Sequence, residues 1–182
     1  MSRSENPKIY VMRNTPALID RQGTYGRAVP LDPWFVTGLT DGEGCFCISF
    51  AIRPKLRTGL EVRPSFSLTL NEKDLGLLED LQAFFGCGWL RESARDRTFK
   101  YEARSIQDLA HSIVPHFRRF PLRGYKARSC AGFSQVCRMV EQGRHLERDG
   151  LREIIGIAYQ INLGKRRHSQ ATLLRVLDEV KG

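Results

Sequence analysis

Two stretches of strict alternation, joined by one basic turn, constrain this 182-residue chain more than any other feature. Between Cys45 and Arg53, the side chains of Phe46, Ile48, Phe50 and Ile52 point one way, and Cys45, Cys47, Ser49, Ala51 and Arg53 point the other. Between Glu61 and Leu70, Val62, Phe66, Leu68 and Leu70 share one face, with Glu61, Arg63, Ser65, Ser67 and Thr69 opposite. A period of two is the mark of a half-buried β-strand. The strands, linked through Arg53-Pro54-Lys55-Leu56-Arg57-Thr58-Gly59, thus have an apolar back and a polar front. The front carries few large apolar side chains and is not a second core.

Helical patterns supply cover for the back. Asn71 is placed to cap a helix running to about Phe85, with Leu75, Leu78, Leu81 and Phe85 on one face and Gly86-Cys87-Gly88 as its break. A second hairpin follows, roughly Trp89 to Ser93 and Thr98 to Arg104. In it Phe99, Tyr101 and Ala103 look inward, and Thr98, Lys100, Glu102 and Arg104 outward. Ser105 with Asp108 resembles a capping box opening a helix through Ile106, Leu109, Ile113 and Phe117. Phe120-Pro121-Leu122 leads to another helix, where Cys130, Phe133, Cys137 and Val140 form a buried stripe. Asp149 is expected to cap a helix with Leu151, Ile154, Ile155, Ala158 and Ile161 inward, stopped at Gly164, and a last helix spans about Ser169 to Val180.

Ahead of the first strand lies a helix that starts correctly and ends wrongly. Asp32 is a good N-cap and Pro33 suits the first helical position, where its missing N–H costs nothing. Yet Asp41 and Glu43 crowd the C-terminal end, where the helix dipole disfavours negative charge. Local rules tend to be broken at functional sites. Gly38 and Gly42, four apart, leave one face bare, so another backbone can approach closely.

Composition narrows the partners. The formal charge is +9, much of it arginine, and the pI is about 9.7. That balance points to a polyanion, most simply nucleic acid, and guanidinium forks suit phosphate. No run of about 18 apolar residues is present, so no membrane span is expected. Cys45, Cys47, Cys87, Cys130 and Cys137 form no C-x-x-C pair, which argues against a zinc site and suits reduced thiols inside a cell. Residues 1 to about 30, with Pro7, Pro16, Gly23, Gly26 and Pro30, read as a basic extension ahead of a single domain over 31–182.

In register, Val36-Thr37-Gly38-Leu39-Thr40-Asp41-Gly42-Glu43-Gly44 resembles the nine-residue motif of LAGLIDADG homing endonucleases. The glycines at its third and ninth positions and the acids at its sixth and eighth all fall in place. Further resemblance lies in Phe66 to Leu70 with Glu72-Lys73-Asp74 and Leu77-Leu78, and in Phe85-Gly86-Cys87-Gly88. It extends through His116-Phe117, Pro121-Leu122 with Lys126, and Asn162-Leu163-Gly164-Lys165-Arg166-Arg167. The element order also matches this family's α+β fold, an αββαββα core whose four antiparallel strands form a curved DNA-facing sheet, followed by C-terminal helices.

The resemblance implies a site-specific double-strand DNA endonuclease. It would hydrolyse one phosphodiester on each strand of a long pseudo-palindromic site, leaving short 3′ overhangs. With one motif present, it implies a homodimer in which motif helices pack at the two-fold axis through Gly38 and Gly42, with Trp34 and Asp41 alongside. Glu43, helped by the Gly42 carbonyl, would bind a divalent cation, Mg²⁺ or another such as Mn²⁺, and Lys126 would position water or stabilise charge on the phosphate. Asp41 is assigned chiefly to the shape of the helix end. Thr69 and Asn71 are both candidates for a polar position at the end of the second strand. The outward residues Ser49, Arg53, Arg63, Ser65, Ser67, Thr69, Arg91, Ser93, Lys100 and Arg104 are candidate readers of bases in the major groove. Lys55, Arg57, Lys165, Arg166 and Arg167 are candidate phosphate contacts. A maturase that binds intron RNA, or a non-cleaving DNA-binding regulator, would share the fold. An organelle or a bacterial cytoplasm is the expected setting.

Overall fold

The alternating stretches pair with each other. In a computed structural model, which describes residues 30–93, 95–161 and 166–179, β1 (Gly44–Ile52) runs antiparallel to β2 (Leu60–Asn71), from Gly44 opposite Leu68 to Ile52 opposite Leu60. The basic turn between them closes with the Arg53 N–H donating to the Gly59 carbonyl at 2.7 Å. The second hairpin is β3 (Trp89–Ser93) and β4 (Thr98–Ala103), and β4 docks on the far side of β2. The result is a four-stranded antiparallel sheet in the order β1-β2-β4-β3. The proposed extension over 1–30 lies outside the described residues except Pro30, and among the described residues no helix is long and apolar enough to cross a membrane.

One face of this sheet is the core wall. Phe46, Ile48, Phe66, Leu68, Tyr101 and Ala103 are buried there, as alternation requires. The rings of Phe46 and Phe66 lie 5.1 Å apart, and Phe46 also meets Phe117 and Phe133 at 5.3 and 5.4 Å. The covering helices are α2 (Leu75–Phe85), the run formed by α3 (Ile106–Asp108), a π-helical turn (Leu109–Ile113) and α4 (Val114–Arg119), then α5 (Lys126–Glu141) and α6 (Arg148–Ile161). Last is α7 (Gln170–Glu179), which packs through Leu173 and Leu177.

Helix boundaries follow the capping chemistry in most places. The Asn71 side chain accepts from the Lys73 N–H at 3.1 Å, opening a short 3-10 turn before α2, and Gly86 ends α2 in the left-handed region at φ 65°. The Ser105 hydroxyl accepts from the Asp108 N–H, and that of Ser169 from the Thr172 N–H at 3.0 Å. Asp149 departs from expectation. It lies inside the first turn of α6, which already starts at Arg148. An acid in a first turn still complements the helix dipole without serving as the cap. Gly164 lies outside the described residues.

His116 is the one imidazole set deep among rings, edge-on to Phe84 and Phe85 at 5.3 and 5.4 Å and beside Phe117. Burial lowers its pKa from 6.5 to about 4. The unfolded imidazole gains its proton near 6.5 while the folded one resists to about 4, so acidification through this window favours the unfolded chain. The urea midpoint should therefore fall between pH 7 and 5.5 in the wild-type chain, and this fall should be smaller in His116→Gln. Equal pH dependence in the two proteins would refute the buried neutral imidazole.

Candidate catalytic end and nucleic-acid interface

α1 (Pro33–Glu43) begins as its sequence requires, with Asp32 Oδ1 accepting from the N–H groups of Trp34 and Phe35 at 2.8 and 3.1 Å. Its inner face is pinned by Thr37, whose hydroxyl donates to the Phe120 carbonyl at 2.9 Å and lies 3.2 Å from His116 Nε2. The helix passes into β1 with no loop. A Cβ on Gly44 would lie 2.4 Å from Thr40 Cγ2, so glycine is required at that junction.

The two acids at the end of α1 have separate fates. Asp41 Oδ2 accepts from the Arg123 N–H at 2.8 Å, and both its oxygens lie 3.2 Å from the Gly124 amide nitrogen. These amides stand just ahead of α5, and a helix N-terminus favours negative charge. An acid misplaced for its own helix is therefore well placed for another. The contact is reciprocated by Lys126, the first residue of α5, which donates from Nζ to the carbonyls of Asp41, at 2.9 Å, and Gly42. Those carbonyls belong to the last turn of α1, where a cation is favoured.

Glu43 differs from Asp41 in every respect. Its side chain is exposed and has no hydrogen-bond or ion-pair partner among the described residues. Beside it, Gly38 and Gly42 face open space, since a Cβ on either would meet nothing within 4 Å. Trp34 and Phe35 at the other end of the helix are 50% and 49% exposed. The outer face of α1 is thus bare, apolar at one end and acidic at the other. The donors at the acidic end are a carboxylate and backbone carbonyls, all hard oxygens that fit a divalent cation such as Mg²⁺. Among the described residues no group of three or more His, Cys, Asp or Glu gathers to hold a metal.

The polar front of the sheet carries the ten candidate base readers, and they are not equivalent. Thr69 and Arg91 are exposed and Ser65 is half-buried, whereas Ser67, on the central strand between Cys45 and Glu102, is only 5% exposed. The Ser49 hydroxyl donates to the Arg63 carbonyl across the ladder, and that of Ser93 to Asp96. The four other candidates are gathered by two acids. Glu61 Oε2 takes Arg53 Nε at 3.0 Å and an Arg63 Nη at 2.7 Å, and these bonds, Arg63 foremost, hold its carboxyl down at about 2. Glu102 receives Lys100 on Oε1 and Arg104 on Oε2, both at 2.9 Å, and is only 3% exposed. Burial pushes the Glu102 carboxyl up, but its bonds and charge contacts with Lys100 and Arg104 outweigh that and keep it below the ordinary range.

The expected phosphate contacts divide similarly. Lys55 and Arg167 are exposed, and Lys165 lies outside the described residues. Arg57 donates to the Leu146 carbonyl at 2.6 Å. Arg166 donates to the carbonyls of Ile48 and Ala158 and stacks over the Tyr159 ring at 4.3 Å, so its guanidinium is turned into the protein. Of the alternatives at the end of β2, Asn71 is occupied as a cap and Thr69 is exposed. Burial pushes the thiols of Cys130 and Cys137 up to about 11 and 12, in keeping with core positions.

Sequence reasoning passed over Thr37, His116, the amides of Arg123 and Gly124, and both front-face acids as anchors. Glu61 and Glu102 had a visible signal. Each stands two residues from a basic side chain on the same strand face, Arg63 for the first and Lys100 and Arg104 for the second.

This fold and helix end define a class of α+β protein that lays a polar sheet beside a carboxylate-tipped helix. The LAGLIDADG endonuclease family model matches residues 36–137, and the chain belongs to that family. It is 34% identical over 142 residues to the probable intron-encoded endonuclease 3 of Neurospora crassa, covering 78% of this chain and 26% of that protein. The homing endonuclease I-ApeII of Aeropyrum pernix is 26% identical over 150 residues, which cover 79% of this chain and 88% of that one. Among solved structures, the homing endonuclease I-TnaI superposes with a TM-score of 0.74 at 32% identity, covering 84% of this chain and 100% of that chain. The I-SmaMI LAGLIDADG homing endonuclease bound to cleaved DNA gives 0.75 at 34% identity, covering 80% and 49%. The chain thus spans 26% of that Neurospora relative, 30% of a second one, the probable intron-encoded endonuclease 2, and about half of the I-SmaMI chain.

Asp41→Ala removes the acceptor for two backbone amides without touching the exposed face of α1. It should cost about 1–2 kcal/mol of stability, read as a lower urea midpoint at unchanged slope. An unshifted midpoint would show that Asp41 does not hold the α1–α5 junction.

Proposed function

We propose that this chain is a metal-dependent, site-specific DNA endonuclease that works as a pair of identical units meeting along α1. The observation that carries this reading is the open face of α1, bare at Gly38 and Gly42, which ends in a Glu43 carboxylate with no partner among the described residues. Close approach of a second α1 would bury Trp34 and Phe35 and bring two Glu43 side chains together. Two adjacent carboxylates disfavour each other's charge unless a cation lies between or beside them.

When bound, a divalent cation would polarise the scissile phosphate and lower the cost of forming hydroxide from water. Glu43 and the Gly42 carbonyl would hold it. Lys126, already bonded to the Gly42 carbonyl, brings a positive charge to the place where phosphate charge builds up. Asp41 keeps Lys126 there by seating the backbone just before it. The polar front of the sheet would enter the major groove, which admits a two-stranded ribbon. Support comes from the DNA-bound state of I-SmaMI and from the coverage of the whole I-TnaI chain by this one. A two-fold pair would make one cut on each strand of a pseudo-palindromic site, and the family resemblance adds the expectation of short 3′ overhangs.

A duplex enriched by the wild-type protein from a randomised pool provides the substrate. With Mg²⁺, the wild-type protein should cut both strands and stop on addition of chelator. Glu43→Gln should bind that duplex as before and cut it about 100-fold more slowly or worse, since even indirect supports of a metal are worth 10–100-fold. Cleavage at the wild-type rate by Glu43→Gln would contradict the assignment.

Gly38→Leu tests the pairing. Leucine is the better helix former by about 0.5–1 kcal/mol, so the isolated unit should be no less stable. Sedimentation should nevertheless show it monomeric where the wild-type protein is dimeric. A dimer of unchanged affinity in Gly38→Leu would exclude pairing through this face.

A further inference from the structure

A surface meant only to attract DNA has no use for carboxylates, yet the front of this sheet holds two in its midst. Each binds two cations. Glu102 sits beneath its strand neighbours Lys100 and Arg104, one carboxylate oxygen to each, and is itself almost wholly covered. Its cross-strand partner is Trp89, over whose ring the Arg104 guanidinium lies at 5.7 Å. Arg104 is therefore fixed from two sides. Glu61 joins Arg63, two residues along its own strand, to Arg53, the first residue past the end of β1. All four basic side chains are candidate base readers.

We propose that Glu102 and Glu61 are positioning residues that set the poses of Lys100, Arg104, Arg53 and Arg63 and so convert attraction for DNA into discrimination between sequences. The inference rests on the DNA-binding reading above. Each carboxylate cancels one of two positive charges, leaving a single net charge per cluster. It also repels phosphate, which makes the clusters poor backbone anchors. A guanidinium held on one edge still has N–H groups free for a neutral acceptor pair such as O6 and N7 of guanine. Holding the side chain beforehand removes the rotamer entropy that each long cation would lose on binding. The acids act through the cations they hold and need no contact with a base.

Neutral replacements separate charge from shape. In Glu102→Gln the amide offers one acceptor oxygen where Lys100 and Arg104 use two, and in Glu61→Gln the single oxygen can still accept from both Arg53 and Arg63 but without the charge that makes those bonds strong. Two probes are used, a random-sequence duplex and the duplex enriched by the wild-type protein, with binding followed across a salt series in calcium. Each variant should bind the random duplex more tightly, with a salt dependence steeper by roughly one counterion. Its preference for the enriched duplex should fall about fivefold or more, the size expected from loosening one well-made base contact. Glu102→Asp, which keeps the charge but shortens the reach, should lose preference with no change in salt dependence.

Glu61 is only partly covered, so Glu61→Gln decides the matter even if burial makes Glu102→Gln unfold. Unchanged preference and unchanged salt dependence in the folded variants overturn the positioning role while leaving the DNA-binding reading intact. A wild-type protein that does not distinguish the two duplexes overturns both.

Discussion

Everything at the functional end of this protein depends on one reciprocal exchange between two helix ends. The C-terminus of α1 presents carbonyls and an acid, and the N-terminus of α5 presents amides and a lysine. Asp41 takes the amides of Arg123 and Gly124, and Lys126 takes the carbonyls of Asp41 and Gly42. Each helix end thereby satisfies groups that it would otherwise leave to water. The exchange fixes where β1 begins, since Gly44 follows without a loop, and it leaves Glu43 as the one acid of the pair with nothing to do inside the described fold.

The sheet has a different logic. Its back is a close-packed wall of Phe46, Ile48, Phe66, Leu68 and Tyr101, in which the Tyr101 hydroxyl is accommodated by donating to the Cys87 carbonyl at 3.1 Å. Its front could have been a plain positive surface, given the net charge of +9. Acids at Glu61 and Glu102 make it a patterned one, in which part of the basic charge is committed before any ligand arrives. Commitment of this kind trades affinity for selectivity. Belonging to the LAGLIDADG endonuclease family gives such a surface a reason to exist.

Much of this was legible in the sequence because the signals were periodic or local. Alternation assigned both faces of β1 and β2, and capping side chains at Asp32, Asn71 and Ser105 marked helix starts. The mismatch of Asp41 with its own helix was visible too, but its resolution was not. Its partners are backbone amides more than 80 residues away, and an amide carries no residue-type signal. Arg166 illustrates the same limit from the other side. Within a run of three basic residues it looked like a phosphate anchor, while its structural partners are the Ile48 and Ala158 carbonyls and the ring of Tyr159. Asp149 missed the cap by two positions, since α6 begins at Arg148 and its first-turn bond already runs from the Leu151 N–H to the Glu147 carbonyl.

The central claim is that two copies of α1 bring two Glu43 carboxylates to one DNA site, each responsible for one strand. Subunit mixing tests it directly. Wild-type protein is equilibrated with a tenfold excess of Glu43→Gln and given supercoiled plasmid carrying the enriched duplex. The account predicts nicked circles as the main product, because most active assemblies would hold one competent copy. Linear plasmid in proportion to the wild-type protein added, with no accumulation of nicked circles, would contradict it.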